Sequence, residues 1–152
     1  MTLERALKQS VAVKGKKEIS KNQPHDHAVP AHLQTGQIGE DTAADYLIKH
    51  GYKVLGRNVR YNRIGEIDII ARDGDYIVFT EVRTRSVGRI MPPEATVGPD
   101  KMKKLIRAAR IWVENNNYYG LWRIDLIAIT IDTKINSPVT VEHIKDITEG
   151  IL

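Results

Sequence analysis

Apolar and polar positions alternate through the middle of the chain on both sides of an Asp-Gly pair. The runs Gly65-Glu66-Ile67-Asp68-Ile69-Ile70 and Ile77-Val78-Phe79-Thr80-Glu81-Val82-Arg83 flank Arg72-Asp73-Gly74-Asp75, the strongest short-range signal for a β-hairpin. Upstream, Glu40, Ala43, Ala44, Leu47 and Ile48 recur at i, i+3, i+4, i+7 and i+8, which predicts a helix over 38–49 with one inward stripe. Gly51 ends it, and a first strand over 52–58 follows. Downstream, a Gly-, Pro- and Arg-rich connection over 84–98 reaches Pro99, a favoured first-turn residue. The helix it starts runs to about residue 117, with Met102, Leu105, Ile106, Ala109 and Val113 inward. Strands over 122–131 and 139–144 complete the pattern.

These periods predict an α/β fold. One hairpin face carries Ile67, Ile69, Ala71, Tyr76, Val78 and Val82, while Ile70, Ile77 and Phe79 share the other with the acidic residues. A sheet apolar on both faces is covered by helices on both. The helical crossover after the hairpin places the 122–131 strand parallel to the strand bearing Glu81.

The polar residues within the apolar runs are the candidates for chemistry. With Asp73-Gly74 as the loop, residue 72 faces 75, 68 faces 79 and 66 faces 81. Asp68 and Glu81 are then diagonal neighbours, about 7–8 Å apart at the backbone. Glu66 lies directly opposite Glu81, a like-charge pairing that calls for a cation. Magnesium suits such a place, because it takes one or two carboxylates and completes its shell with water and substrate phosphate. Arg83, on the same face, can hold phosphate or transition-state charge, or merely neutralise Glu66 and Glu81. Glu40 is a carboxylate on an inward stripe, costly unless paired, so it either caps the first helical turn or belongs to the site. Asp125 reads as a buried partner of Arg123 or a group supporting the site.

Asp68 followed by Glu81-Val82-Arg83 resembles the D…(D/E)xK core of the restriction-endonuclease-like superfamily. The segments GQIGEDTAADYL, GYKVLGRNVRY, GEIDIIARDGDYIVFTEVRTR, PPEATVGPDKMKKLIRAARIWV and WRIDLIAI resemble, in order, the YraN-like family of small uncharacterised bacterial proteins in that superfamily. The resemblance covers about two thirds of the chain, far more than a lone short motif. It implies a restriction-endonuclease-like mixed β-sheet flanked by α-helices, and a metal-dependent nuclease, with DNA repair or recombination as its context. Asp68, Glu81, Glu40 and the Val82 carbonyl would hold Mg²⁺ or Mn²⁺, and Glu40, Asp68, Glu81 and Arg83 would form the catalytic set. Glu66, Arg85 and a lysine at the start of the later helix, Lys101 or Lys104, would meet substrate; Arg89 is a further phosphate candidate. The expected partner is nucleic acid, with DNA first, and by analogy with resolvase-like relatives a second copy of the chain. One departure matters: Arg83 stands where the superfamily has lysine, and arginine does not shed its proton. If that lysine serves as base, the alternative reading is a nucleic-acid-binding protein of nuclease fold without turnover.

Composition refines this picture. At 152 residues one core is expected, with residues 35–152 as the domain. Residues 1–34 read as a basic, flexible extension containing a short helix near 3–8. They carry six basic and three acidic side chains, hence +3 of the net +4, leaving the domain near neutral and its basic-protein signal weak. The His25-Asp26-His27 triplet lacks further ligands. The absence of cysteine removes thiolate and disulfide chemistry and suits a cytoplasmic setting. No apolar run is long enough to span a bilayer, and the N-terminus lacks the apolar core of a signal peptide, so membrane insertion and export are not expected.

Overall fold

The computed structural model describes residues 30–88 and 92–149. The short N-terminal helix, the His25-Asp26-His27 triplet and Arg89 lie outside them. In chain order the elements are α1 (Ala31–Lys49), β1 (Lys53–Tyr61), β2 (Gly65–Asp73), β3 (Tyr76–Ser86), a 3₁₀ turn (Pro93–Thr96), α2 (Pro99–Asn115), β4 (Leu121–Asp132) and β5 (Ser137–Ile144). The strands form one sheet of five in the order β1-β2-β3-β4-β5. Every neighbour pair is antiparallel except β3 and β4, which run parallel through the α2 crossover. This is the mixed α/β architecture expected from the resemblance.

Each helix covers one face. Ala43, Ala44 and Leu47 of α1 pack on Ile69, Ala71, Val78, Ile127, Ile129 and Ile131. Leu105, Ala108, Ala109 and Trp112 of α2 pack on Ile70, Ile77, Phe79 and Ile124. Burying a side chain such as Leu47 or Phe79 contributes roughly 1.5–3 kcal/mol, so the two clusters fix both the fold and the height of each strand. Phe79 lies edge-on to Trp112 at 5.6 Å and to Trp122 at 5.7 Å, a favoured aromatic geometry that seats the centre of β3 under α2.

Several boundaries and faces differ from expectation. Helix α1 begins at Ala31 rather than residue 38, and Ile48 of the expected stripe is 57% exposed. In α2 the buried stripe is rotated: Ala108 and Trp112 are buried while Met102, Ile106 and Val113 are only partly so. Strand β1 extends to Tyr61. Ile67, expected beside Ile69, instead joins the α2 cluster. The β2–β3 ladder spans only Asp73↔Tyr76 to Ile69↔Thr80, so the first half of β2 leaves β3 and simple alternation no longer assigns its faces.

The hairpin register is also corrected. The two loop residues are Gly74 and Asp75, with Asp73 facing Tyr76, not Asp73 and Gly74. Gly74 takes a φ of 57°, open at little cost to a residue without Cβ. Beyond Ile69↔Thr80 the ladder stops, and Asp68 meets β3 through its side chain, which accepts the Val82 N–H at 2.7 Å. Glu66 pairs with Arg60 of β1 instead of opposing Glu81.

Candidate functional site

Where β2 and β3 part, a cleft of about 700 Å³ opens beneath the first half of α1 and the start of α2. Glu40, Glu66, Asp68, Glu81, Val82, Arg83 and Lys101 line it. The splayed ladder leaves the Val82 N–H without a strand partner in β2's backbone, and Asp68 Oδ2 accepts it at 2.7 Å. That bond holds one carboxylate against the strand bearing the other.

Glu81 is 2% exposed. Its Oε1 receives Lys101 Nζ at 3.0 Å and Arg83 Nη2 at 3.3 Å. Asp68 is half-buried; burial, and then the charge of Glu81, push its carboxyl up to about 7, against the pull of the Val82 N–H and Lys101. Glu40 adds to that rise from α1. Its neighbour Gly39 makes the approach possible, since a Cβ there would collide with the Thr84 hydroxyl of β3. The glycine lets α1 lie on β3 beside the cleft and so sets the height of Glu40.

Three buried side-chain atoms lack a hydrogen-bond partner among the described residues: Thr80 Oγ1, Glu81 Oε2 and Arg83 Nε. All three lie within four consecutive residues of β3. Buried polar atoms are paired in the great majority of cases, and leaving one bare costs roughly 1–3 kcal/mol. An orphaned carboxylate oxygen beside a carboxyl that resists ionisation is the donor chemistry a hard cation satisfies. Among the described residues, however, no three His, Asp or Glu side chains converge as a preformed ligand cluster. Glu81 is held by Lys101 and Arg83, so a cation would have to draw Oε1 away from them or use Oε2.

The remaining predicted residues divide. Lys101, in the first turn of α2, reaches Glu81; Lys104 is exposed and lines a smaller hollow beside Glu66. Arg85 turns out of the cleft to Thr130 Oγ1 at 3.0 Å and Glu142 at 3.3 Å. Asp125 is the buried partner of Arg123, at 2.9 Å, and does not line the cleft. Thr35, Gly36, Ser86, Thr133 and Asn136 line it without having been singled out by sequence. Thr133 and Asn136 come from the β4–β5 turn, which only the crossover brings near. Lys101 did leave a signal: a cation in a first helical turn opposes the helix dipole, and a carboxylate partner relieves that cost.

The comparisons with known proteins come to rest on the same segment. The family model described as uncharacterised protein family UPF0102 matches residues 39–129, from Gly39 beside Glu40 to β4. A UPF0102 protein of Syntrophus aciditrophicus is 40% identical over 119 residues, covering 77% of this chain and 90% of the relative. One of Streptomyces griseus is 44% identical over 115 residues, covering 74% and 94%. A third, from Oleidesulfovibrio alaskensis, is 37% identical over 110 residues, and the chain spans only 54% of its length. No helix among the described residues is long and apolar enough to cross a membrane. With the match running from the middle of α1 into β4 and taking in Glu40, Asp68, Glu81, Arg83 and Lys101, the chain belongs to the UPF0102 family, the YraN-like family that its motifs resemble.

Proposed function

We propose that this protein is a divalent-metal-dependent nuclease that hydrolyses phosphodiester bonds in nucleic acid, with DNA the first candidate. The observation that carries the reading is the orphaned Oε2 of buried Glu81 next to Asp68, whose carboxyl is pushed up to about 7. Lys101 and Arg83 satisfy only Oε1 of Glu81, which leaves a buried carboxylate oxygen unpaired at the cleft.

Asp68 and Glu81, with Glu40 and the Val82 carbonyl in support, would hold Mg²⁺ or Mn²⁺. An ion held by these residues would supply Lewis-acid chemistry, activation of water and polarisation of a phosphate oxygen. Asp68 is fixed by the Val82 N–H at 2.7 Å, so its second oxygen presents a defined ligand direction. Arg83 Nε is buried and unpartnered, and its fork suits a phosphate oxygen at the cleft floor.

Lys101 answers the departure at residue 83. Its ammonium lies 3.0 Å from Glu81 and lines the cleft, so a lysine is at the site although β3 does not carry it. The division of labour that follows gives Arg83 the charge on phosphate and Lys101 the holding of Glu81.

The test is cleavage of single-stranded, duplex, flapped and four-way-junction DNA and of RNA with Mg²⁺ or Mn²⁺. Wild type is expected to cut at least one, with Asp68→Asn and Glu81→Gln slower by on the order of 10²–10³-fold, the scale of losing one transition-state stabiliser. Lys101→Met is expected to lower the rate, whereas Arg83→Lys retains activity. Cutting that persists undiminished in Asp68→Asn, or no cutting of any substrate, would sink the proposal.

A further inference from the structure

The geometry points to a second phosphate-binding subsite beside the cleft, formed by Arg63 of the β1–β2 turn and Lys104 of α2, which holds the nucleic-acid backbone next to the scissile phosphate. This rests on the nucleic-acid reading above and goes beyond it in saying where the flanking strand runs.

A hollow of about 230 Å³ adjoins the cleft, sharing Glu66 as common wall, and Arg60, Asn62, Arg63 and Lys104 line it. Glu66 is neutralised there: Arg60 Nε lies 3.0 Å from its Oε1. Arg63 and Lys104 are exposed and have no carboxylate partner among the described residues. Two cations therefore line one concavity with no carboxylate among the described residues paired to either.

Backbone contacts fix where the two elements meet. The turn is closed by the Ile64 N–H donating to the Tyr61 carbonyl at 2.8 Å. A Cβ on Gly65 would stand 2.9 Å from the Lys104 carbonyl oxygen, so the missing side chain is what lets α2 and the turn meet. Backbone contact between the two elements holds their cations on one rim.

Lys101 and Lys104 are three residues apart on α2, hence about 5–6 Å between Cβ atoms along one helix face. Lys101 lines the cleft and Lys104 the hollow. With roughly 3.4 Å of axial rise per phosphate on a strand, that step corresponds to about one or two nucleotides. On the other side of the cleft Arg85 is bound to Glu142 and Thr130, so the strand is guided toward the β1–β2 turn and not along β5.

The experiment measures binding of labelled short single-stranded DNA, duplex DNA and RNA in chelator, between about 50 and 200 mM salt. Arg63→Ala/Lys104→Ala is compared with the charge-keeping Arg63→Lys/Lys104→Arg and with Arg72→Ala, a surface cation at the far hairpin loop. The alanine pair is expected to weaken binding on the order of 10-fold and to make the salt slope shallower by about 2, one per lost phosphate contact. The charge-keeping pair and Arg72→Ala are expected to match wild type. An unchanged slope in the alanine pair, an equal loss in Arg72→Ala, or no binding by wild type to any probe overturns the subsite. Cleavage by wild type that Asp68→Asn abolishes, together with unaltered binding by the alanine pair, would remove the subsite and leave the nuclease reading intact. The expected binding losses without any cleavage would do the reverse.

Discussion

Asp125 and Asp68 are aspartates on inner strands of one sheet, yet their surroundings are opposite. Asp125 is fully buried and accepts from Arg123 Nε, His143 Nε2 and the Asp146 N–H, each at 2.9 Å. Burial pushes its carboxyl up, but those donors outweigh burial and hold it below the usual carboxylate range. Arg123 is held in turn by Asp73 at 2.7 Å and Tyr52 at 3.2 Å. Asp68 has one backbone donor, a neighbouring carboxylate, and a carboxyl raised to about 7. One network is complete without a ligand; the other sets two carboxylates together and leaves Glu81 Oε2 bare although Lys101 and Arg83 hold Oε1. Burial alone therefore does not distinguish the two acids; the completeness of their pairing does.

The largest effect expected from this contrast is on folding. Asp125→Ala leaves Arg123 buried without its principal partner and should destabilise the protein by about 3–5 kcal/mol, read from urea unfolding. Asp68→Asn keeps an acceptor for the Val82 N–H and removes the repulsion, so without metal its midpoint should equal or exceed that of wild type. A comparable loss in both variants would erase the distinction.

Metal should separate the two next. At a concentration 100 times its Kd, Mn²⁺ is expected to stabilise wild type by about 2.7 kcal/mol, seen as a rise in Tm. Asp68→Asn and Glu81→Gln should lose that rise, and a milder variant of the other network, His143→Gln, should keep it. A rise retained in both carboxylate variants would place the ion elsewhere.

The pH dependence carries opposite signs at the two sites. Because the folded pKa of Asp68 is raised from 3.8 to about 7, the folded state binds a proton in that window that the unfolded chain has released. Metal-free stability from Asp68 therefore increases as pH falls from about 7 toward 3.8. The Asp125 carboxyl is lowered from 3.8, so its contribution is fully present above 3.8 and is lost as pH falls further. In a series of unfolding midpoints, the difference between wild type and Asp68→Asn should vary only over the upper window. A flat difference there would contradict the raised Asp68 value.

Gly39→Ala is expected to give a smaller change. The added methyl meets Thr84, and overpacking of this kind costs about 1–3 kcal/mol. Pairing it with Thr84→Ala should restore most of the loss, since the collision is with that hydroxyl. Failure to restore would mean that the helix contact is not what the glycine serves.

Much of this was legible in the residues. The hairpin, the acidic pair and both helices follow from period and turn chemistry, because apolar alternation and Asp-Gly act over a few neighbours. The register did not follow: shifting the loop from Asp73-Gly74 to Gly74-Asp75 changes no side chain's face, so the pattern could not choose between them. The turn itself chose: Gly74 stands at the first loop position with a φ of 57°, the conformation that a two-residue loop of this kind gives to glycine. Arg85 was out of reach for a different reason. Its partners Thr130 and Glu142 stand 45 and 57 residues away along the chain, on strands that meet it only through the parallel crossover.

The sequence by itself determined which residues carry charge inside apolar strands, that Glu66, Asp68, Glu81 and Arg83 are clustered around one hairpin, and which family motif they resemble. Those are local properties, set by side-chain chemistry and by the two periods of the backbone. Tertiary structure alone decided that the Val82 N–H holds Asp68 against the strand bearing Glu81, that Lys101 supplies an ammonium at 3.0 Å, that Arg63 and Lys104 share one rim, and that Asp125 is fully paired. Each depends on which faces helices cover and on where a ladder stops. Those outcomes are settled by packing between segments far apart in the chain, and local pattern carries no record of them.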